Sequence, residues 1–338
     1  MNRTTSTRIV HSAAGALIVI ALVGACGTAT QTPSASQTLS ASQGLPTIGP
    51  AATTSAPVVT PTPALARTPI PTPRAHSSTG VVAANTCNPS VVPGASLPPT
   101  SPGPSSRAKP LTLHVPILEY HRIVPLSMAG RSLPSLTMPP ENFAAQMDAL
   151  AKAGWHTITL ATLANDLAAG VTPPAQTFVI TIDDGWWDGY TYAYPILAQH
   201  GFVATFFVIA GRIWDASFLG PSQLQALAAA GNEIGDHTVH HGWLTALNPK
   251  ALTSEIDSAA ATIAAVTGVW PETLAYPHGA TDTQVMNAVA ACKPLRMAVV
   301  EDHGAALTWA DRFHVGRIEV APDRTPENLL ADMRRVGQ

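Results

Sequence analysis

The apolar positions divide the chain into two unlike parts. From about residue 110 onward, short apolar runs alternate with amphipathic stretches. "LTLHVPILEYH", residues 111–121, reads as strand. "TFVITI" (177–182) and "FVATFFVIA" (202–210) are near-continuous apolar runs, the pattern of parallel strands buried on both faces. "ENFAAQMDALAKAG" (141–154) follows two prolines, sets Phe143, Met147 and Leu150 on one helical face, and stops at Gly154. Further strands are expected near 232–236, 272–276, 296–300 and 315–320, with helices near 221–230, 249–267 and 282–292. Residues 188–201 read as a helix whose register Pro195 disturbs, with Asp188 at its start. Strand and helix alternating in this way predict one α/β domain over residues 110–338, with a distorted (β/α) barrel as its architecture.

The first part has another character. No Asp, Glu, Phe, Trp or Tyr occurs before Glu119. Residues 27–109 are rich in Pro, Ser, Thr and Ala, too poor in large apolar groups to offset chain entropy, and are expected to form a disordered tether. Residues 1–26 read as an export signal, with Arg3 and Arg8 ahead of the apolar run "AAGALIVIALVGA". That run is too short for a comfortable membrane span. It ends in "LVGAC", which resembles the lipobox of bacterial lipoproteins, so Cys26 is the expected lipidation site. The chain is then expected outside the cell, anchored to the membrane's outer face by lipid. In that oxidising setting Cys87 and Cys292 could pair, although two cysteines alone do not decide it.

Charge narrows the partners. All 21 acidic residues and 12 of the 18 Lys and Arg lie beyond residue 110, so that part carries 12 − 21 = −9. Bulk charge therefore excludes a polyanion binder, and no nucleic acid is expected as partner. The chain is expected to act as a monomer.

In a barrel of parallel strands, sites collect where strands end. Four polar clusters lie at such ends: "EYH" (119–121), "DDG" (183–185), "DHTVHH" (236–241) and "YPHG" (276–279). His237 and His241 are four apart and face the same way in a helix or turn, while His240 points elsewhere. Two imidazoles with one carboxylate make a hydrolytic metal site, and zinc is the first choice. A histidine-rich surface turn would have the same spacing.

Three segments carry a resemblance. "TIDDGWWDGYTYAYPILAQHGFVATFFVIAGRI" (181–213), "EIGDHTVHHGWLTAL" (233–247) and "AYPHG" (275–279) resemble, in order, three motifs of the polysaccharide deacetylases, carbohydrate esterase family 4. "PILEYHRI" (116–123) is similar to the opening strand of a branch that deacetylates extracellular poly-N-acetylglucosamine. The resemblance spans about 110–338. It implies hydrolysis of N-acetyl groups on an N-acetylglucosamine polymer (poly-N-acetylglucosamine, peptidoglycan or a chitin-like glycan) with one divalent metal. It implies Asp184, His237 and His241 as metal ligands, Asp183 as general base and His121 as general acid. Ala275 stands where many members carry an Arg that orients the base, and Arg317 is the candidate replacement. The Leu-x-His motif that supplies the acid in many members is missing, which leaves His303 and His314 as secondary candidates. Backbone N–H groups near Pro277 and His278 are expected at the oxyanion, and one of Trp186 and Trp243 at the sugar. Two other outcomes stay open: an O-acetyl esterase of the xylan type, and a tethered glycan-binding protein without turnover.

Overall fold

The structure, a computed structural model, describes residue 87 and residues 92–98, 103–104, 111–129, 134–302 and 306–337. The expected signal segment with Cys26, most of the expected tether and His303 lie outside the described residues. The chain runs through β1 (Thr112–Leu113), β2 (Ile117–Tyr120), β3 (Arg122–Ile123), β4 (Thr137–Met138), α1 (Pro140–Lys152), β5 (His156–Thr157), α2 (Leu160–Ala169) and β6 (Thr177–Ile182). It continues through α3 (Tyr194–Gln199), β7 (Thr205–Val208), α4 (Pro221–Ala229), β8 (Glu233–Asp236), α5 (Pro249–Thr267) and β9 (Thr273–Ala275). It closes with α6 (Thr283–Ala291), β10 (Met297–Val299), β11 (Leu307–Thr308), β12 (Ile318–Glu319) and α7 (Pro326–Val336).

An eight-stranded sheet in the order β10-β9-β8-β7-β6-β2-β12, with β5 beside β6, forms the frame. Its strands pair parallel throughout. The sheet curls until Val315, just ahead of β12, bridges to Val299 of β10. This is the α/β barrel that the alternating pattern predicts, with β6 buried along its whole length. Phe143, Met147 and Leu150 of α1 are fully buried, as their spacing requires. The paired residues Tyr120–Ile182, Ile182–Phe206, Val208–Asp236 and Ala275–Val299 bring the C-terminal strand ends level with one another. Hence the polar clusters that follow those ends share one rim.

Local departures have physical causes. Pro195 sits in the first turn of α3 and lacks an N–H, and the preceding turn, Gly189–Ala193, widens into a π-helix. The sequence pattern did not reveal α2 or α7. Both are capped by threonines, Thr159 and Thr325, which accept from the backbone N–H three residues on. Within the stretch that composition assigns to the tether, Ser96 bridges to Val269 and Val92 is buried against the α5–α6 side. Cys87 and Cys292 form a disulfide with their Cα atoms 5.1 Å apart, so this segment is held covalently on the domain.

Candidate active site

Strand β6 ends at Ile182, but the Asp183 N–H still donates to the Tyr120 carbonyl at 2.9 Å. The chain then turns sharply through Asp184 (φ 70°) and Gly185 (φ 74°). A side chain at Gly185 would meet Val208 at 3.0 Å and the left-handed backbone would strain it, so glycine belongs there. The turn separates two adjacent carboxylates.

Asp183 is buried and faces Arg317. Its two oxygens accept from Nη1 and Nη2 of Arg317, each at 2.9 Å. Arg317 also donates to Thr181 Oγ1 (3.0 Å), Glu119 Oε1 (3.0 Å) and the Val300 carbonyl (3.2 Å). A guanidinium has five N–H donors, and these contacts use all of them. A buried charge survives only when paired and hydrogen-bonded in this way. Burial alone would raise the Asp183 pKa, but the Arg317 cation outweighs it and holds the carboxyl below its ordinary value.

Asp184 turns the other way. Its Oδ1 lies 3.6 Å from His237 Nε2 and 3.4 Å from His241 Nε2. Its Oδ2 accepts from Trp186 Nε1 at 3.0 Å. The imidazoles reach it from a turn rather than a helix. Asp236 Oδ1 accepts from the Thr238 N–H (2.7 Å), and Thr238 Oγ1 accepts from the His241 N–H (3.1 Å). Thr238 (φ 65°) and His241 (φ 57°) are both left-handed. His237 Nδ1 is paired with the Ala275 carbonyl at 2.8 Å, which leaves Nε2 facing Asp184. His240 faces outward and pairs with Glu255.

The donor set suits a divalent cation. Ligand atoms of Asp184, His237 and His241 lie within 4.8 Å of one another. A tetrahedral centre with bonds of about 2.0–2.2 Å sets its ligand atoms roughly 3.3 Å apart, close to the Asp184–imidazole separations. Burial, then the charge of His237, pushes the His241 pKa down to about 4, which favours the neutral, ligating imidazole. Burial would lower the His237 pKa too, but the close Asp184 carboxylate and the charge of Asp183 raise it overall. Burial opposes ionisation of Asp184, and the two histidines with His121 more than offset it, so its pKa is lowered.

His121 lies beside this centre, 3.9 Å from Glu119 through Nε2. His114 is exposed on the surface, and His314 faces Asp302 at 3.8 Å. Trp186 stacks on Phe218 (4.3 Å between centroids), carries the Arg122 guanidinium over its ring at 4.7 Å and donates to Asp184, so its ring is packed against protein. Pro277 has no N–H, so of the expected oxyanion pair only His278 can donate. Asp188 stands at the start of the following helical turn, as expected, but its side chain makes no capping bond there; it is buried and accepts from Arg122 and from the Ile123 N–H. Trp243 is 57% exposed and stacks on His278 at 4.5 Å, and His278 lies 4.6 Å from His241. Sequence reasoning missed Glu119, although period-two alternation puts it on the same side of its strand as His121.

Relatives share this frame. The sequence model of the family described as Polysaccharide deacetylase matches residues 170–294. YxkH of Bacillus subtilis (strain 168), named for that family, is 30% identical over 208 residues, 62% of this chain and 72% of YxkH. The structure of the Streptococcus pyogenes deacetylase PplD in complex with acetate superposes with a TM-score of 0.62 at 26% identity, covering 67% of this chain and 99% of PplD. IcaB from Ammonifex degensii shares the fold at 24% identity, with a TM-score of 0.56 over 65% of this chain and 97% of IcaB. The chain belongs to the polysaccharide deacetylases, hydrolases of carbohydrate esterase family 4.

Proposed function

We propose that this chain removes N-acetyl groups from an N-acetylglucosamine-containing polysaccharide outside the cell, using one divalent cation, zinc first. The observation that carries the reading is the opposed setting of the aspartates: Asp184 joins two imidazoles, and Asp183 is held apart by Arg317. Asp184, His237 and His241 would hold the cation. When bound, it supplies a Lewis acid that polarises the acetyl carbonyl and makes water acidic near neutral pH.

The chain's own residues do the rest. Asp183, kept ionised by Arg317, takes a proton from the attacking water; each of its oxygens retains a lone pair beyond the bond to Arg317. The His278 N–H is the candidate donor to the developing oxyanion. His121 donates a proton to the departing amine. The exposed ring of Trp243 stacks on a pyranose face, with His278 fixing its plane. The lipobox-like Cys26 and the proline-rich tether support placement at the outer face of the membrane.

The test is acetate release from poly-N-acetylglucosamine, peptidoglycan, chitin oligomers and acetylxylan, with and without added zinc. Zinc-dependent release from the N-acetylated glycans is expected, and lost in Asp183→Asn. Release only from acetylxylan would make the chain an O-acetyl esterase. Glycan binding without release from any substrate would make it a binding protein.

A further inference from the structure

Glu119 is a buried ionisable group at the rim that the mechanism above leaves unused. It sits on β2, 1% exposed, two residues before His121 and on the same side of the strand. Its Oε1 accepts from Arg317 Nη2 at 3.0 Å and lies 3.9 Å from His121 Nε2. Its Oε2 has no hydrogen-bond partner among the described residues. Arg317 is thus gripped from two sides, by Asp183 through both oxygens and by Glu119 through one.

We propose that Glu119 is a positioning residue: it fixes Arg317 against Asp183 and sets His121 beside it, so that base and acid share one buried anchor. This rests on the roles given to Asp183 and His121 above. Glu119 completes the set of anchors on Arg317. Its Thr181 and Val300 contacts hold Nη1 and Nε, and Glu119 holds the Nη2 hydrogen that Asp183 does not take. With one cation between two carboxyls, only one needs to be ionised. Burial, against the lowering pull of the Arg317 cation and with the like charges of Asp183, Glu301 and Glu319, pushes Glu119 up to about 8. Asp183 keeps the negative charge, and Glu119 serves as an acceptor rather than a counter-charge.

The test compares Glu119→Leu, Glu119→Gln and Glu119→Asp by kcat, KM, zinc affinity and the Arg317 Nε–H resonance in ¹⁵N-labelled protein. Loss of positioning is expected to cost about 10²-fold in kcat for the Leu variant, with KM and zinc affinity unchanged. The Gln variant keeps the accepting oxygen and should recover at least about tenfold over Leu, with the Arg317 resonance restored. Should the Leu variant fail to fold, the Asp variant, one methylene short, should show the same loss of kcat. A folded Leu or Asp variant with wild-type kcat and an unmoved Arg317 resonance overturns the proposal, as does a Gln variant no better than Leu. If wild-type protein releases no acetate, the function reading falls, and the resonance alone decides: a shift in Leu that Gln reverses supports positioning, and no shift in Leu overturns it.

Discussion

The two ends of the barrel treat buried carboxylates differently. At the N-terminal end, Glu233 opens β8, and its carboxylate accepts from Thr205 Oγ1, Thr273 Oγ1 and the Ala161 N–H. Three strand starts and one helix start meet on one side chain, through backbone of ordinary conformation. At the C-terminal rim, Asp184, Thr238, His241 and His278 are four of the five non-glycine residues with positive φ among the described residues. Glu119 and Asp236 each leave a buried oxygen without a partner among those residues. Burial pushes Asp236 up to about 8, more than the Thr238 N–H and the charge of His237 offset. Strain and unmet polar groups cost stability, and they persist where the surroundings enforce them. The base of the barrel is built to hold, and the rim to act.

That contrast can be broken at several points. Asp183→Asn should lower kcat by about 10²–10⁴-fold, the usual contribution of a general base, and should also lower the unfolding midpoint, since Arg317 loses its buried counter-charge; acetate release and thermal unfolding check both halves. Arg317→Leu leaves two buried carboxyls facing each other without their cation. It should lose about 3–5 kcal/mol in denaturant unfolding along with activity, and Arg317→Lys should restore little, since an ammonium cannot reproduce the fork. At the other end, Glu233→Gln places an NH₂ against donors. It should cost about 1–3 kcal/mol of stability and leave kcat and metal affinity as they are. A Glu233→Gln enzyme with impaired kcat would mean that the two ends are not independent.

The smallest effect is one of pH. Glu272, beside Glu233 at the same end, is pushed from its ordinary value of 4.5 up to about 7 by burial, then by the Glu233 charge. A carboxyl whose pKa is raised on folding contributes stability that is fully present below about 4.5 and lost as pH rises through about 7. Wild-type protein should therefore weaken relative to Glu272→Gln between pH 5 and pH 8, measured by urea unfolding at each pH. A difference independent of pH would contradict the assignment.

Much of the frame was legible before the structure. Buried parallel strands read as apolar runs because both faces are covered, and β6 shows it. The spacing of His237 and His241 pointed to one face, and the motif order pointed to Asp184. Three things were not legible. The left-handed backbone at Asp184 and His241 comes from packing, since nothing in those residue types demands it. Arg317 was legible as a candidate partner for the base, but its sharing with Glu119, 198 positions away, was not, since only the sheet order brings β12 beside β2. The neighbours of Trp186 were not legible either: Phe218 and Arg122, which pack on its ring, are distant in sequence.

The central claim is that the adjacent carboxylates Asp183 and Asp184 do different work. Zinc titration calorimetry on Asp183→Asn and Asp184→Asn tests it most directly. Asp183→Asn should bind zinc as wild type does, and Asp184→Asn should lose at least about tenfold in affinity. Equal loss in both variants would contradict the division.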